Sequence, residues 1–421
     1  MNRIESFIYG IVRNNPTVKN AVRNLYQSFF DLLPRKREYF RYGYDFKEGY
    51  YFGFHDLQEL SADGSRLLVQ KLPFDLRMPV AGETEPVGYL DFTQDGHLGD
   101  FHEIGTTSAW NYHKGCRLQW LDDNNVIFNT AVDGRLLSKI IDVQSGESRT
   151  INSPIDSVSH DSAWAISFSY ERLEHCMSGY GYPYSDGWSY LDEDTPSETG
   201  LFLINLKESS RELLVSLRTL AESAPSEFQK GYMHYVTHTE FSPDNRYVSF
   251  LHRWRLRTGT DLKRWTRIMV YDRQKAELME LPSQISGSHY VWNSDNQIVA
   301  SCIVDGQSCH VLFDMNDIDS YRIIAPSVLN SDGHQSFITD DSFITDTYPD
   351  KYRMAKLFRV NIPDGRTELL ASVYSPKKFQ SSPKKGHIAC DLHPRVSLDG
   401  RFVFFDSCRT GKRGVYVMKL F

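Results

Sequence analysis

Apolar residues recur along this chain in two rhythms. Over residues 2–33, Ile4, Phe7, Ile8, Ile11, Val18, Ala21, Val22, Leu25, Phe29, Leu32 and Leu33 fall at helical spacing. Asn14-Asn15-Pro16 interrupts that series, so two short helices with a break between them are expected. From about Tyr50 the rhythm shortens to β-type runs separated by polar turns. Seven such units can be followed. The first begins at Phe54-His55-Asp56-Leu57 and turns at Asp63-Gly64. The others cover Gly115 to Asn129, Pro154 to Phe168, Phe241 to Leu251, Tyr290 to Cys302, Phe337 to Tyr348 and Val396 to Ser407. Many short strands at even spacing predict a propeller rather than a sandwich. Seven four-stranded blades of roughly 40–50 residues account for the remaining chain. The expected organisation is an amphipathic helical segment over 1–45 and an all-β seven-bladed β-propeller over 46–421.

Two stretches exceed blade length, and long loops on a rigid scaffold carry binding. One is Arg172 to Thr199, which holds Gly179-Tyr180-Gly181-Tyr182-Pro183-Tyr184. The other is Leu72 to Thr107, ahead of Ala109-Trp110-Asn111-Tyr112-His113. The stretch from Ser375 to Lys385 reads as an exposed loop. The basic run Pro34-Arg35-Lys36-Arg37 follows the helical segment. An apolar helical face packs on the main domain or on a partner. With a basic flank it also suits an anionic membrane surface.

Four histidines occupy one position of the repeat. His238, His289, His334 and His393 each stand six residues before an aspartate, in His-Thr-Glu-Phe-Ser-Pro-Asp-Asn, His-Tyr-Val-Trp-Asn-Ser-Asp-Asn, His-Gln-Ser-Phe-Ile-Thr-Asp-Asp and His-Pro-Arg-Val-Ser-Leu-Asp-Gly. Equivalent positions of consecutive blades face one axis. Neutral imidazoles converging there are ligands for a borderline divalent cation such as zinc or manganese. Cys390, Asp346, Asp391 and Gln335 are further ligands or supporting partners. The competing reading is structural, since a Gly-His pair such as Gly333-His334 also serves hydrogen bonding within a blade.

Composition narrows the partners. A formal net charge of −7 excludes a general nucleic-acid binder, which needs a basic field. The 24 Tyr, 25 Phe and 7 Trp suit pleated sheet, and secondarily sugar binding. The six cysteines form no Cys-x-x-Cys pair and read as free, mostly buried thiols. The first residues build no apolar export stretch, and no run reaches the length of a membrane span. A cytoplasmic location, with peripheral contact at the inner membrane as the variant, is the expectation.

Arg172, Tyr180, Tyr182 and His113 make a set suited to β-elimination on a uronic acid. A cation neutralises the carboxylate, a base takes the α-proton and a tyrosine protonates the leaving oxygen. The same residues also fit a rim of loop aromatics with an ordinary ion pair. In Leu251-His252-Arg253-Trp254-Arg255-Leu256-Arg257, guanidinium groups beside an indole suit an anionic sugar or phosphate, or equally a solvated strand end. His252, Arg253, Trp254 and Arg395 are the substrate-binding candidates. A serine-hydrolase elbow, a phosphate loop and a dinucleotide fingerprint are absent.

The segments Ala109 to Trp120, Ser178-Gly179-Tyr180-Gly181-Tyr182, Phe250 to Trp254, Ser288 to Trp292, Asp332-Gly333-His334, Thr345 to Asp350 and Cys390-Asp391-Leu392-His393-Pro394-Arg395 resemble a bacterial propeller family. That family is similar to the seven-bladed oligogalacturonate-lyase and ulvan-lyase type of polysaccharide lyases. The resemblance spans about residues 50–421. It implies a propeller and metal-assisted elimination on an acidic glycan. It places the metal at His334 and His393 with His238 or Cys390. It makes His113 and Tyr180 or Tyr182 the base and acid, with Arg172 opposite the carboxylate. Such lyases are usually exported, whereas this chain shows no export signal and carries the amphipathic segment. A non-catalytic glycan- or protein-binding propeller in surface-polysaccharide assembly is therefore the alternative, docked through residues 1–37.

Overall fold

The computed structural model describes residues 34–258, 264–282, 286–294, 297–382 and 384–421. The helices expected over 2–33 lie outside the described residues. The chain forms seven antiparallel sheets, the blades of a β-propeller. Their first strands are Tyr50–Tyr51, Gln119–Trp120, Ser157–Val158, Tyr232–Phe241, Ser286–Ser294, Gln335–Thr339 and Arg395–Val396. First strands of the third to seventh blades contact one another in turn and so face the axis.

Much of the repeat is written in one turn. In Ser61-Ala62-Asp63-Gly64, Ser159-His160-Asp161-Ser162, Ser242-Pro243-Asp244-Asn245 and Ser397-Leu398-Asp399-Gly400, the serine hydroxyl donates to the aspartate at 2.5–2.6 Å. The same hydroxyl then accepts the amide of Arg66, Trp164, Tyr247 or Phe402, which opens the next strand. The fourth residue is left-handed in every case, with φ between 55° and 71°. Small or amide residues suit that position, because a Cβ there is costly for bulky side chains.

Each blade packs on the next through its own apolar cluster, and each face is built by the alternation of strand side chains. Between the first and second blades lie Tyr51, Leu68, Val87, Val126, Phe128 and Ile141. Between the seventh and first lie Phe402, Phe404, Val415, Val417, Leu67, Val69 and Leu90. The other five junctions are filled likewise. Each such buried side chain contributes about 1.5–3 kcal/mol, so the ring is held junction by junction.

Closure of the ring uses the start of the described chain. Tyr44–Glu48 pairs antiparallel with Gly414–Lys419 as the outer strand of the last blade, and Phe46 stacks on Tyr416 at 5.1 Å. Tyr39–Phe40 adds a fifth strand to the sixth blade. Propeller strands thus stand on both sides of the expected boundary at 45/46. Arg35 and Lys36 of the basic run lie over the rings of Tyr374 and Tyr352, at 4.4 and 4.0 Å.

The two long stretches differ from expectation. Leu72 to Thr107 is mostly regular blade, with strands Glu85–Phe92 and Leu98–Thr107, so only 72–84 is loop. Arg172 to Thr199 is a true insertion. It opens within the helix Tyr170–Cys176, whose first turn is capped by Ser169 Oγ accepting the Arg172 amide at 3.0 Å. The stretch 375–385 is no exposed loop throughout, because Phe379 is buried and Ser375, Pro376 and Gln380 line a cavity.

Candidate functional site

The histidines do converge on the axis, but around a phenyl ring. Phe54 stands among His55, His238, His289, His334 and His393, with ring centroids 4.6–6.0 Å away. His289 and His334 lie 4.1 Å apart, and His334 and His393 4.3 Å. Two of the four sit on left-handed backbone, His238 at φ 55° and His393 at φ 45°. Such a conformation costs about 1–3 kcal/mol and persists where the surroundings enforce it.

Each imidazole is oriented through Nδ1. His393 donates to the Gly53 carbonyl at 2.8 Å and His55 to the Gln335 carbonyl at 3.0 Å. His289 meets Asp332 at 3.1 Å, His334 meets Asp346 at 2.9 Å, and His238 meets Thr237 Oγ1 at 2.9 Å. A carbonyl acceptor fixes the proton on Nδ1, so Nε2 of His393 and His55 carries the lone pair. This is how ligating or basic imidazoles are held. Nε2 of His393 and of His238 is buried without a hydrogen-bond partner among the described residues.

One group brings its donor atoms close enough for an ion. Among the described residues His113, Asp391 and His393 place one donor atom each within 4.8 Å of one another, and all three are buried. His113 Nδ1 is 3.7 Å from Asp391 Oδ2, and its Nε2 contacts His387 Nδ1. Burial, with the neighbouring His387, pushes His113 well below its ordinary value. His393 is lowered by burial, with His334 and Arg395 beside it. Both are neutral at pH 7, as ligands must be. Burial raises the Asp391 carboxyl to about 6. At His334, burial works downward but the Asp346 carboxylate prevails and holds the imidazole above its ordinary value. The orphaned Nε2 of His393 and the mixed imidazole–carboxylate donors fit a divalent cation of the zinc or manganese kind.

Asp391 of this cluster lines a cavity of about 440 Å³. Met177 and Tyr180 wall it from the insertion, Arg253 and Arg264 from the fourth blade, Ser288 and His289 from the fifth, and Asp332 from the connection that follows. Tyr348, Arg353, His387, Cys390 and Asp391 also line it, with Ser375, Pro376 and Gln380. Tyr180 stacks on His113 at 4.9 Å, and burial holds its phenol well above the ordinary range, so it is protonated. Gly179 brings the insertion there, because a Cβ on it would stand 2.7 Å from His387 Cβ, at φ 90°.

Several candidates are placed elsewhere. Arg172 spends its guanidinium on five backbone carbonyls, of Ser189, Tyr190, Glu193, Asp194 and His234, at 2.7–3.0 Å. It pins the insertion and has no donor left for a ligand. Tyr182 is buried on Tyr170 and donates to the Gly115 carbonyl at 2.9 Å. His252 is bonded to His234 and Arg267, with Trp254 packed beside them, away from the cavity. Arg395 joins the seventh blade to the first, 2.5 Å from Glu59 and bonded to the Gly53 carbonyl. Cys390 faces the cavity wall, but its thiol is hydrogen-bonded to Cys408. His113, Tyr180, Arg253, His289 and His393 are brought together, and the sequence reading overlooked Asp332, His387 and Arg264.

Below the histidines a second polar layer ties four blades together. Arg117 forms a two-pronged pair with Asp56 at 2.7 and 2.8 Å, and Lys114 Nζ lies 2.5 Å from Asp156. Asp156 also accepts Tyr170 Oη at 2.6 Å and both donors of Thr239 at 2.9 Å. Burial works against its ionised form, but Arg117 and Lys114 overcome this and hold the carboxyl well below the usual range.

No protein-family model and no curated protein sequence matches the chain. Solved structures do. An oligogalacturonate lyase in complex with manganese aligns over 92% of this chain and 98% of its own, at 13% identity and a TM-score of 0.61. An oligogalacturonate lyase from Vibrio parahaemolyticus aligns over 92% and 99%, at 11% identity and a TM-score of 0.59. Tricorn protease aligns over 92% of this chain but 34% of its own, at 10% identity and a TM-score of 0.52. The chain is a seven-bladed β-propeller sharing the fold of the oligogalacturonate lyases over nearly its whole length. At these identities the likeness concerns fold, and a fold shared with a protease does not choose a chemistry. No helix among the described residues is long and apolar enough to cross a membrane.

Proposed function

We propose that this propeller is a carbohydrate-active lyase that cleaves a uronic-acid-containing oligo- or polysaccharide by metal-assisted β-elimination. The observation that carries the reading is the buried, partnerless Nε2 of His393 beside His113 and Asp391, at the edge of a sugar-sized cavity. His113, Asp391 and His393 would hold the cation. A bound divalent cation supplies positive charge that neutralises the substrate carboxylate and acidifies the neighbouring C–H. His289, oriented by Asp332 and lowered by burial, is a neutral base facing the same cavity. It takes the proton from C5. The C4–O bond breaks as the C4–C5 double bond forms, and Tyr180 gives its phenolic proton to the departing oxygen. The manganese-bound lyase of the same fold supports the assignment of both metal and substrate class.

The test is a panel of uronate polysaccharides and oligosaccharides, incubated with metal-quantified protein and followed by ultraviolet absorbance. An absorbing unsaturated product with at least one panel member is expected. Bound glycan without product would favour a binding propeller instead.

A further inference from the structure

A basic face lies beside the cavity, on a chain whose formal net charge is −7. Its first part is Arg35-Lys36-Arg37, all three exposed. Its second is the stretch 375–390, which carries Lys377, Lys378, Lys384 and Lys385 and no acidic residue. Those four lysines are exposed, while Ser375, Pro376 and Gln380 beside them line the cavity. Lys412, also exposed, stands in the turn between the strands Phe402–Ser407 and Gly414–Lys419 of the seventh blade.

Tertiary contacts join these parts. Arg35 lies over Tyr374, just ahead of the lysine-rich stretch, and Lys36 over Tyr352. The two tyrosines are neighbours, because the Ser375 amide donates to the Arg353 carbonyl at 2.8 Å. Lys385 Nζ donates to the Lys378 carbonyl at 2.9 Å. A Cβ on Gly411 would stand 3.6 Å from Lys378 Nζ, so the turn holding Lys412 lies alongside. The carboxylates nearby are engaged. Glu38 pairs with Arg409 and accepts the Tyr374 amide at 3.0 Å. Asp350 accepts the amides of Tyr352 and Met354 at 2.8 and 3.0 Å. Glu48 lies 3.4 Å from Lys412, an exposed pair that contributes little. Positive charge therefore dominates the face.

The chain reaches this face directly from residues 2–33, whose apolar positions recur at helical spacing. Cation–π contacts of Arg35 and Lys36 fasten the end of that segment beside the lysines. A basic cluster adjoining an amphipathic stretch matches the two demands of an anionic bilayer surface, charge at the headgroups and apolar area below them. An acidic glycan would match the lysines but has no use for the apolar positions.

We infer that this face is a docking surface for an anionic phospholipid bilayer. The lysines and arginines pair with headgroup phosphates, and the apolar positions of residues 2–33 enter the boundary with the acyl chains. The cavity then stands beside the membrane surface. The inference is independent of the reaction proposed at the cavity.

Flotation of the full chain with vesicles tests it, using phosphatidylcholine alone and phosphatidylcholine mixed with phosphatidylglycerol. The mixed vesicles bind at least about tenfold tighter, since each cation near such a surface is worth about fivefold. A variant combining Lys377→Ala, Lys378→Ala, Lys384→Ala and Lys385→Ala loses at least about 100-fold of that affinity. Its melting temperature and its binding of polygalacturonate are unchanged. Ile8→Asp with Ile11→Asp also weakens vesicle binding, although every basic residue is kept. Equal binding to both kinds of vesicle, or binding to neither, overturns the docking surface. So does unchanged vesicle binding in either variant. Loss of polygalacturonate binding in the lysine variant assigns the face to the glycan and overturns the membrane.

Discussion

His393 of the seventh blade gives its Nδ1 proton to the carbonyl of Gly53 in the first, 2.8 Å away, across the seam where the ring closes. The bond fixes the tautomer that leaves Nε2 free beside His113 and Asp391. Closure of the fold and readiness of the site are therefore one event. Changes in the outer sphere of a metal site alone cost about 10- to 100-fold in affinity. Loss of the proposed ligand itself, in His393→Ala, should lower manganese or zinc affinity by at least about 100-fold. Added metal at 100 times its dissociation constant stabilises the parent protein by about 2.7 kcal/mol. A melting-temperature rise on metal addition that persists in His393→Ala would remove this residue from the site.

Asp332 is expected to position His289 without touching substrate. Its carboxylate raises the His289 imidazole, while burial lowers it more. In Asp332→Asn the counter-charge is gone, the imidazole falls further, and the acid limb of the rate profile moves to lower pH. Activity drops by roughly 10²-fold or more, the usual scale of general-base catalysis. Metal stoichiometry stays the same. Rate profiles with an unmoved acid limb would contradict the pairing.

The layer around Asp156 predicts acid sensitivity. Its folded-state value is depressed. The stability it contributes is in place above the unfolded carboxylate value of about 3.9. It is lost as the pH falls through that value towards the folded one. Asp156→Ala strands Lys114 as a buried cation, leaves Arg117 with Asp56 alone, and costs about 3–5 kcal/mol. Denaturant midpoints measured from pH 7 to pH 3 should fall in the parent protein and stay flatter, from a lower start, in the variant.

Phe54 fills the centre of the histidine ring. Phe54→Ala leaves a void lined by five imidazoles and costs about 3–5 kcal/mol, read as a shift in the unfolding midpoint. A neutral result would mean that the imidazoles collapse inward, which their anchored Nδ1 atoms oppose.

The blade count was legible from short β-runs between polar turns, and in four of the seven blades one turn repeats. A serine two residues before an aspartate, and a left-handed residue after it, recur in sequence as they do in space. The axial histidines were legible for the same reason. Ring closure was not, because Tyr44–Glu48 finds its partner at the far end of the chain and is too short to announce a strand. Phe54 read as ordinary core, and nothing local in the sequence says that it faces five imidazoles. Arg172 misled in the other direction. An arginine ahead of a tyrosine-rich loop reads as a ligand-binding group, yet five carbonyls of that loop and its neighbour take every donor. Asp332 and His387 reach the cavity only through tertiary folding, from connections between blades.

The clasp between Tyr44–Glu48 and Gly414–Lys419 also sets a timetable. The second strand leaves the ribosome about 370 residues after the first, on the order of 20–70 s later at roughly 5–20 residues per second. Until then the early strand is an unpaired edge, the kind that recruits neighbouring chains. Six blades can stack during synthesis while the seventh waits. The nascent chain therefore spends most of its synthesis as an open arc, and crowded translation should favour chains that exchange this strand.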